Sequence, residues 1–196
     1  RVKDYRAEAI MTTDIPFLKI PSSSVTVYFK DPDKFRILQK NGISITPKGG
    51  MEVNISSLVD PGKSTVLDAG ESVIQNITHR VIKILPQEEN SKTVISTLYI
   101  DPKELLVRKV VTTTKDNGTF ELEMKYARYS AWGLPDAVTF LFSTKDYQLP
   151  KGIAFDYESK PDNKKRPAGA TTTGAIRLDY TSYQINKGVA DSVFKK

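Results

Sequence analysis

The chain has 196 residues, 39% hydrophobic and 27% charged, with a formal net charge of +6, one histidine, one tryptophan and no cysteine. That length suits one domain that buries about 70% of its unfolded surface without covalent staples. The lack of cysteine excludes disulfides, thiolate metal sites and cysteine nucleophiles, and no run of eighteen apolar residues occurs that would predict a membrane-spanning helix.

Tyr5 to Thr13 admits helix or strand, and the alternation of Ala7, Ala9 and Met11 with Arg6, Glu8 and Ile10 favours strand. Ile15 to Ile20, crowded by Pro16 and Pro21, reads as an edge or connecting piece, because proline donates nothing to a ladder. Val25 to Lys30 is a strand rich in β-branched and aromatic residues. Asp31-Pro32-Asp33-Lys34 turns it, and Phe35 to Gln39 returns. Asn41-Gly42 opens a further strand, Ile43 to Thr46. From Lys48 to Gly70 the apolar residues Met51, Val53, Ile55, Leu58 and Val59 fit no single period, and Pro61-Gly62 interrupts them. A short helix or flap fits there, read either as a lid or as a loop packed on the end of a barrel.

Strand character resumes at Glu71 to Gln75 and at His79 to Leu85, then breaks at Pro86 to Ser91. Val94 to Tyr129 reads as a three-strand meander. Asp101-Pro102-Lys103-Glu104 forms one turn, and Asn117-Gly118 tolerates the positive φ of a two-residue reversal at the other. Phe120, Leu122, Met124 and Tyr126 point one way, while Thr119, Glu121, Glu123 and Lys125 point the other. A last strand of about eleven residues would span about 37 Å. Ala131 to Pro135 is a corner, Ala137 to Ser143 a strand, Tyr147 to Gly152 a turn and Ile153 to Glu158 a short strand. Pro161 to Gly174 is a polar loop or wide hairpin, Ala175 to Ile185 the last long strand, and Val189 to Phe194 closes the chain. The pattern predicts a mainly β protein, a single domain over 1–196. Its architecture is a strongly curved antiparallel half-barrel, an unclosed β-barrel of about ten to eleven strands, with a short helical or irregular lid at 48–70.

The sequence holds no G-x-S-x-G elbow, P-loop, H-E-x-x-H or EF-hand loop. His79 has no visible catalytic partner and reads as a surface or packing residue. Asp31 and Asp33 are ordinary turn residues, and Glu121 and Glu123 belong to a solvated strand face. Three N-x-S/T triplets, at Asn54, Asn76 and Asn117, are a pattern that chance supplies at this length. The Lys and Arg residues are scattered among Asp and Glu, without the basic face and interleaved aromatics of a nucleic-acid binder. Neither an enzyme, a metal site, a cofactor nor a nucleic-acid partner is expected.

The apolar alternation is more informative. Phe29, Phe35, Leu98, Ile100, Leu122, Met124, Tyr126, Phe140 and Phe142 fall on positions that can share one face of the sheet, and Trp132 falls near its rim. With few helical residues to plug it, such a face either closes on its own side chains or holds an apolar ligand.

Val27-Tyr28-Phe29-Lys30-Asp31-Pro32-Asp33-Lys34-Phe35-Arg36-Ile37 resembles the periplasmic lipoprotein carriers of the LolA/LolB class, which include outer-membrane lipoprotein-sorting proteins. Leu98-Tyr99-Ile100-Asp101, then Leu105 to Val110 and the Asn117-Gly118 reversal, follow that class's order, and Tyr183 to Phe194 resembles its closing segment. The resemblance implies an open barrel with a helical lid, whose hollow shields acyl chains and is lined at the turn by Phe35. It also implies a periplasmic protein whose leader has been removed, a monomer that works without a cofactor, and partners in the inner- and outer-membrane lipoprotein machinery. Two departures stand out. The class's arginine before the turn proline is Asp31 here, so that latch does not carry over. The amphipathic N-terminal helix is truncated or missing. A sensor or protein-interaction module on the same half-barrel is the alternative, exposing its sheet edge or the Lys48 to Gly70 flap.

Overall fold

The computed structural model describes residues 1–15, 18–39, 63–116, 118–143 and 173–195. They form eleven strands: β1 (Asp4–Ile15), β2 (Leu18–Lys19), β3 (Ser23–Lys30), β4 (Lys34–Gln39), β5 (Ser64–Ile74), β6 (Ile77–Pro86), β7 (Thr93–Asp101), β8 (Leu106–Thr114), β9 (Gly118–Lys125), β10 (Ala137–Ser143) and β11 (Thr173–Ile185). Two single turns of 3-10 helix follow, at Ser130–Trp132 and Asp191–Phe194. Among the described residues no helix is long and apolar enough to cross a membrane.

All strands join one antiparallel sheet in the order β4-β3-β1-β11-β10-β9-β8-β7-β6-β5, with β2 as a short flap on β1. From β5 to β11 each strand lies beside its sequence neighbours, β3 pairs with β1 and β4, and the first and last long strands, β1 and β11, pair with each other. That seam carries the up-and-down order past the chain ends, leaving β4 and β5 as the two edges of an unclosed half-barrel.

One face is dry. Rows of paired residues run across it, such as Ile82, Leu98, Val110, Leu122, Phe140 and Ile176 in register on six successive strands. Nine buried residues around Phe140 make one cluster. Eight around Val25, Val27, Ile37 and Tyr180 make a second. Val138 and Ile176 pack against both, so the two clusters meet across β10 and β11. A buried polar rung crosses this face. Ser96 and Thr112, each 1% exposed, share a hydroxyl–hydroxyl bond of 3.0 Å.

Four expectations need correction or placement. Residues 64–70, read as the end of a lid, are instead the first part of β5, which starts well before Glu71. The register shifts between Asp68 and Glu71, and Gly70 sits at φ +83°; this bulge breaks the alternation that reveals a strand in sequence. The last strand of the meander, β9, has eight residues rather than about eleven. It stops because the Ala127 N–H turns to the Asp136 carboxylate, 2.8 Å away, instead of the ladder. The reversal before it pairs Thr114 with Gly118, so three residues intervene rather than two, with Gly118 at φ +66°. The expected strands Ile43 to Thr46 and Ile153 to Glu158, the turn Tyr147 to Gly152, lid residues 48–62 and most of the Pro161 to Gly174 loop lie outside the described residues.

Replacing Thr112 with Val strands the buried Ser96 hydroxyl and should cost about 1–3 kcal/mol. Adding Ser96→Ala should recover most of that loss, because the rung is then apolar on both sides. Urea unfolding of the two variants checks this, and equal destabilisation by both would contradict it.

Candidate functional site: the apolar inner face

The inner face is built by period-two alternation, modified where a strand carries an extra residue. Thr181 is such a residue. Glu8 pairs with Ser182 and Ala9 with Tyr180, which leaves Thr181 unpaired in the ladder with its hydroxyl donating to Glu8 O at 3.0 Å. The bulge puts Tyr180 and Tyr183, three apart, on the same inner face. Arg108 plays the same part in β8: Tyr99 pairs with Lys109 and Ile100 with Val107, so Val107 and Val110 both turn inward.

The expected lining residues divide into groups. Leu98, Leu122, Met124, Phe140 and Phe142 are buried together in the first cluster, and Ile100 and Tyr126 pack against it, partly buried. Phe35 packs against the second cluster. Phe29 is its register partner and stacks on Tyr5, with ring centroids 5.3 Å apart. Trp132 joins neither cluster; it is half exposed on the 3-10 turn between β9 and β10. Sequence reading missed Tyr5, Tyr129, Tyr180 and Tyr183. Tyr183 contacts the other three rings at centroid distances of 4.8–5.3 Å, and its hydroxyl donates to Pro135 O at 2.7 Å. Tyr183 lies beyond the Thr181 bulge and Tyr129 outside the strands, so a period-two count passes over both, whereas Tyr5 and Tyr180 keep step with Ala7 and Leu178.

The floor of the face is close-packed. Phe142 lies against Gly174, where a Cβ would fall 2.7 Å from its ring, so only glycine leaves the ring its place. Phe140 and Ile84 are closed off from solvent, at 1–2% exposure. Toward one end of β7 to β9 the lining is less enclosed, with Ile100, Val107 and Tyr126 only partly buried. The Tyr126 hydroxyl donates to Val107 O at 2.9 Å, and the Arg108 guanidinium lies 5.2 Å from its ring centre. Burial pushes the Tyr126 phenol up to about 12, against the opposing pull of Arg108. Burial likewise raises Tyr180 and Tyr183.

The polar groups of this end are occupied in holding turns. Asp101 is buried and accepts from the N–H groups of Lys103 (3.0 Å) and Glu104 (3.3 Å), and from Arg108 (3.1 Å). Burial alone would raise its carboxyl, but these donors outweigh it and hold it below the usual carboxylate range. Asp136 is held down in the same way against burial, by Arg128 and the Ala127 N–H. His79 is buried, with Nδ1 2.8 Å from Ile77 O, so of the two expected places it takes the packing one. Among the described residues no cluster of three or more His, Asp or Glu could hold a metal ion. The arrangement offers van der Waals contact to apolar groups and no poised nucleophile.

Because its folded-state pKa is depressed, Asp101 contributes stability that is present above the ordinary carboxylate value, about 4. That contribution is lost as pH falls through the lower native value. Unfolding midpoints should therefore drop as the solution is acidified below about pH 4. Asp101→Asn should flatten part of that slope; a profile identical to the parent's would show that the turn carboxylate does not contribute.

No protein-family model matches the chain, and no curated protein sequence matches it. Solved structures do share its fold. A DUF1329 family protein from Desulfovibrio piger superposes with a TM-score of 0.60 at 12% identity, over 99% of this chain and 90% of that one. A domain described as an outer membrane lipoprotein-sorting protein, from Vibrio parahaemolyticus, gives 0.62 at 10% identity over 98% and 89%. A LolA superfamily protein from Nitrosomonas europaea gives 0.62 at 8% identity over 99% and 90%. The chain thus has the open half-barrel fold of these proteins.

Proposed function

We propose that this protein is a non-enzymatic periplasmic carrier that holds the acyl chains of lipoproteins or lipids against the inner face of its sheet, in outer-membrane lipoprotein sorting. The observation that carries the reading is the continuous apolar face, in register across the strands of an unclosed sheet. The fold it shares with a lipoprotein-sorting domain and a LolA superfamily protein supports it. Leu98, Leu122, Phe140 and Phe142 form the packed floor. Ile100, Tyr126 and Phe35, only partly buried, are the side chains that meet the ligand. Each methylene buried there gains about 0.8 kcal/mol, so an acyl chain of ordinary length needs no charged contact to bind well. The carrier works as a monomer and exchanges cargo with the lipoprotein machinery of the two membranes.

A second reading, a sensor or protein-interaction module, is favoured by edge strand β5. Val66 and Leu67 are each about half exposed there on opposite faces (48% and 49%), as a strand awaiting a partner segment would be.

Mass spectrometry of an organic extract of the purified protein separates the two. Acyl lipid in stoichiometric amount supports the carrier, and its absence together with no binding of added fatty acid favours the module. Phe35→Glu places a carboxylate on the apolar face, where an unpaired charge is costly. It should weaken binding of a fluorescent fatty acid at least tenfold while the circular dichroism spectrum stays that of the parent. Unchanged affinity would remove Phe35 from the site.

A further inference from the structure

We infer that the three successive turns β5–β6, β7–β8 and β9–β10 form an edge that docks on a lipid bilayer. In an antiparallel order these turns fall at one end of the sheet, the end where the partly buried residues of the inner face lie. Each carries a large apolar side chain in solvent. Val73 (67% exposed) and Ile77 (47%) flank the first turn, Leu105 (79%) tips the second, and Trp132 (50%) lies on the third. Adjacent turns are two strands apart, roughly 10 Å, so the series runs along about 20 Å of the edge. The last two turns touch, since a Cβ on Gly133 would lie 4.0 Å from the Leu106 side chain.

The side chains are held out rather than left loose. Gln75 and Asn76, at φ 52° and 62°, make the tight reversal between the paired Ile74 and Ile77. Leu105 sits at φ 56°, a conformation usually left to glycine or asparagine. Its N–H is bonded to Asp101 O at 2.8 Å, in the turn that the buried Asp101 carboxylate pins. Arg128 fixes the third turn through Asp136 and the carbonyls of Tyr180 and Thr181. A branched apolar residue in a left-handed conformation, pinned from below and exposed above, serves the fold poorly and a contact well.

Charge selects the occupant. The acids along this edge are all paired: Asp68 and Glu71 with Arg80, Asp101 and Glu104 with Arg108, Asp136 with Arg128. Lys103 and Lys125 balance the remainder, so the edge as a whole is neutral. Separate apolar tips on a neutral, rigid edge suit a fluid interface that closes around each one. A protein partner would need a continuous complementary patch. Tryptophan is also the side chain that favours the headgroup boundary. The partner is therefore a bilayer surface, engaged without a requirement for anionic lipid. The inference does not depend on acyl chains binding the inner face.

Trp132 is the sole tryptophan, so its emission reports the contact directly. With phosphatidylcholine vesicles it should shift to the blue and be quenched by brominated acyl chains, and the protein should co-sediment. Raising salt should change this little. Leu105→Ser should weaken vesicle partitioning about tenfold. The triple variant Val73→Ser/Ile77→Ser/Leu105→Ser should abolish it, with an unchanged melting curve and unchanged fatty-acid binding. Three results would each overturn the inference: no spectral shift and no sedimentation, equal partitioning by parent and triple variant, or binding confined to anionic vesicles and lost in salt. Loss of fatty-acid binding with vesicle binding retained would strike the carrier reading alone.

Discussion

The pairing of β1 with β11 is the interaction on which the rest of this structure depends. Without it the chain is two unconnected sheets, β4-β3-β1 and the seven strands from β11 to β5. Each would have half of an apolar face and nothing to set the angle between them. The seam joins the longest strands of the molecule, and its ends are tied by side chains as well as by the ladder. Asn186 Oδ1 accepts from the N–H groups of Lys3 and Asp4, and Asp4 Oδ1 accepts from Gly188 N. Both apolar clusters draw on β11, through Ile176, Leu178 and Tyr180, so the seam is also where the two halves of the interior share side chains. This is the pair of greatest sequence separation in the sheet, whereas the others join strands one or two apart in chain order.

Much of the architecture is legible in the sequence because an antiparallel sheet with one dry face writes a period of two. Phe120, Leu122 and Met124 are one example, and Phe140 with Phe142 is another; both sets lie on the buried side. The boundaries of β3, β4, β6 and β10 fall within two residues of those that β-branched runs and turn signals suggest. Reading failed where that period is interrupted. At Asp68 to Glu71 a bulge disguised a strand as a lid. At Thr181 and Arg108 an extra residue brought positions three apart to one face, and so Tyr183 and Val107 escaped notice. Trp132 was visible as a residue near the rim, but its outward direction depends on a 3-10 turn whose polar anchors, Arg128 and Asp136, are eight positions apart. No local pattern announces such a pair.

The interior has a division of labour that composition could not reveal. Its centre, around Phe140, Ile84 and Leu98, is closed to solvent and behaves as a core. Its flank toward the turn end keeps side chains partly accessible, with the Tyr126 hydroxyl held by Val107 O. A single curved sheet without an α-helix among its described elements must stabilise itself and still present an apolar surface. Here the same rows of side chains do both, with the balance shifting from one end of each row to the other.

The extra residues in β8 and β11 have an evolutionary consequence. In a sheet of this kind, one codon gained or lost at such a place is taken up by the bulge, and the remainder of the strand keeps its enclosed and its displayed side. Strand length can therefore drift by indels at a few tolerant sites without turning the interior outward. A strand order tolerant in this way asks for little sequence likeness, and the solved structures that share this fold are only 8–12% identical to this chain.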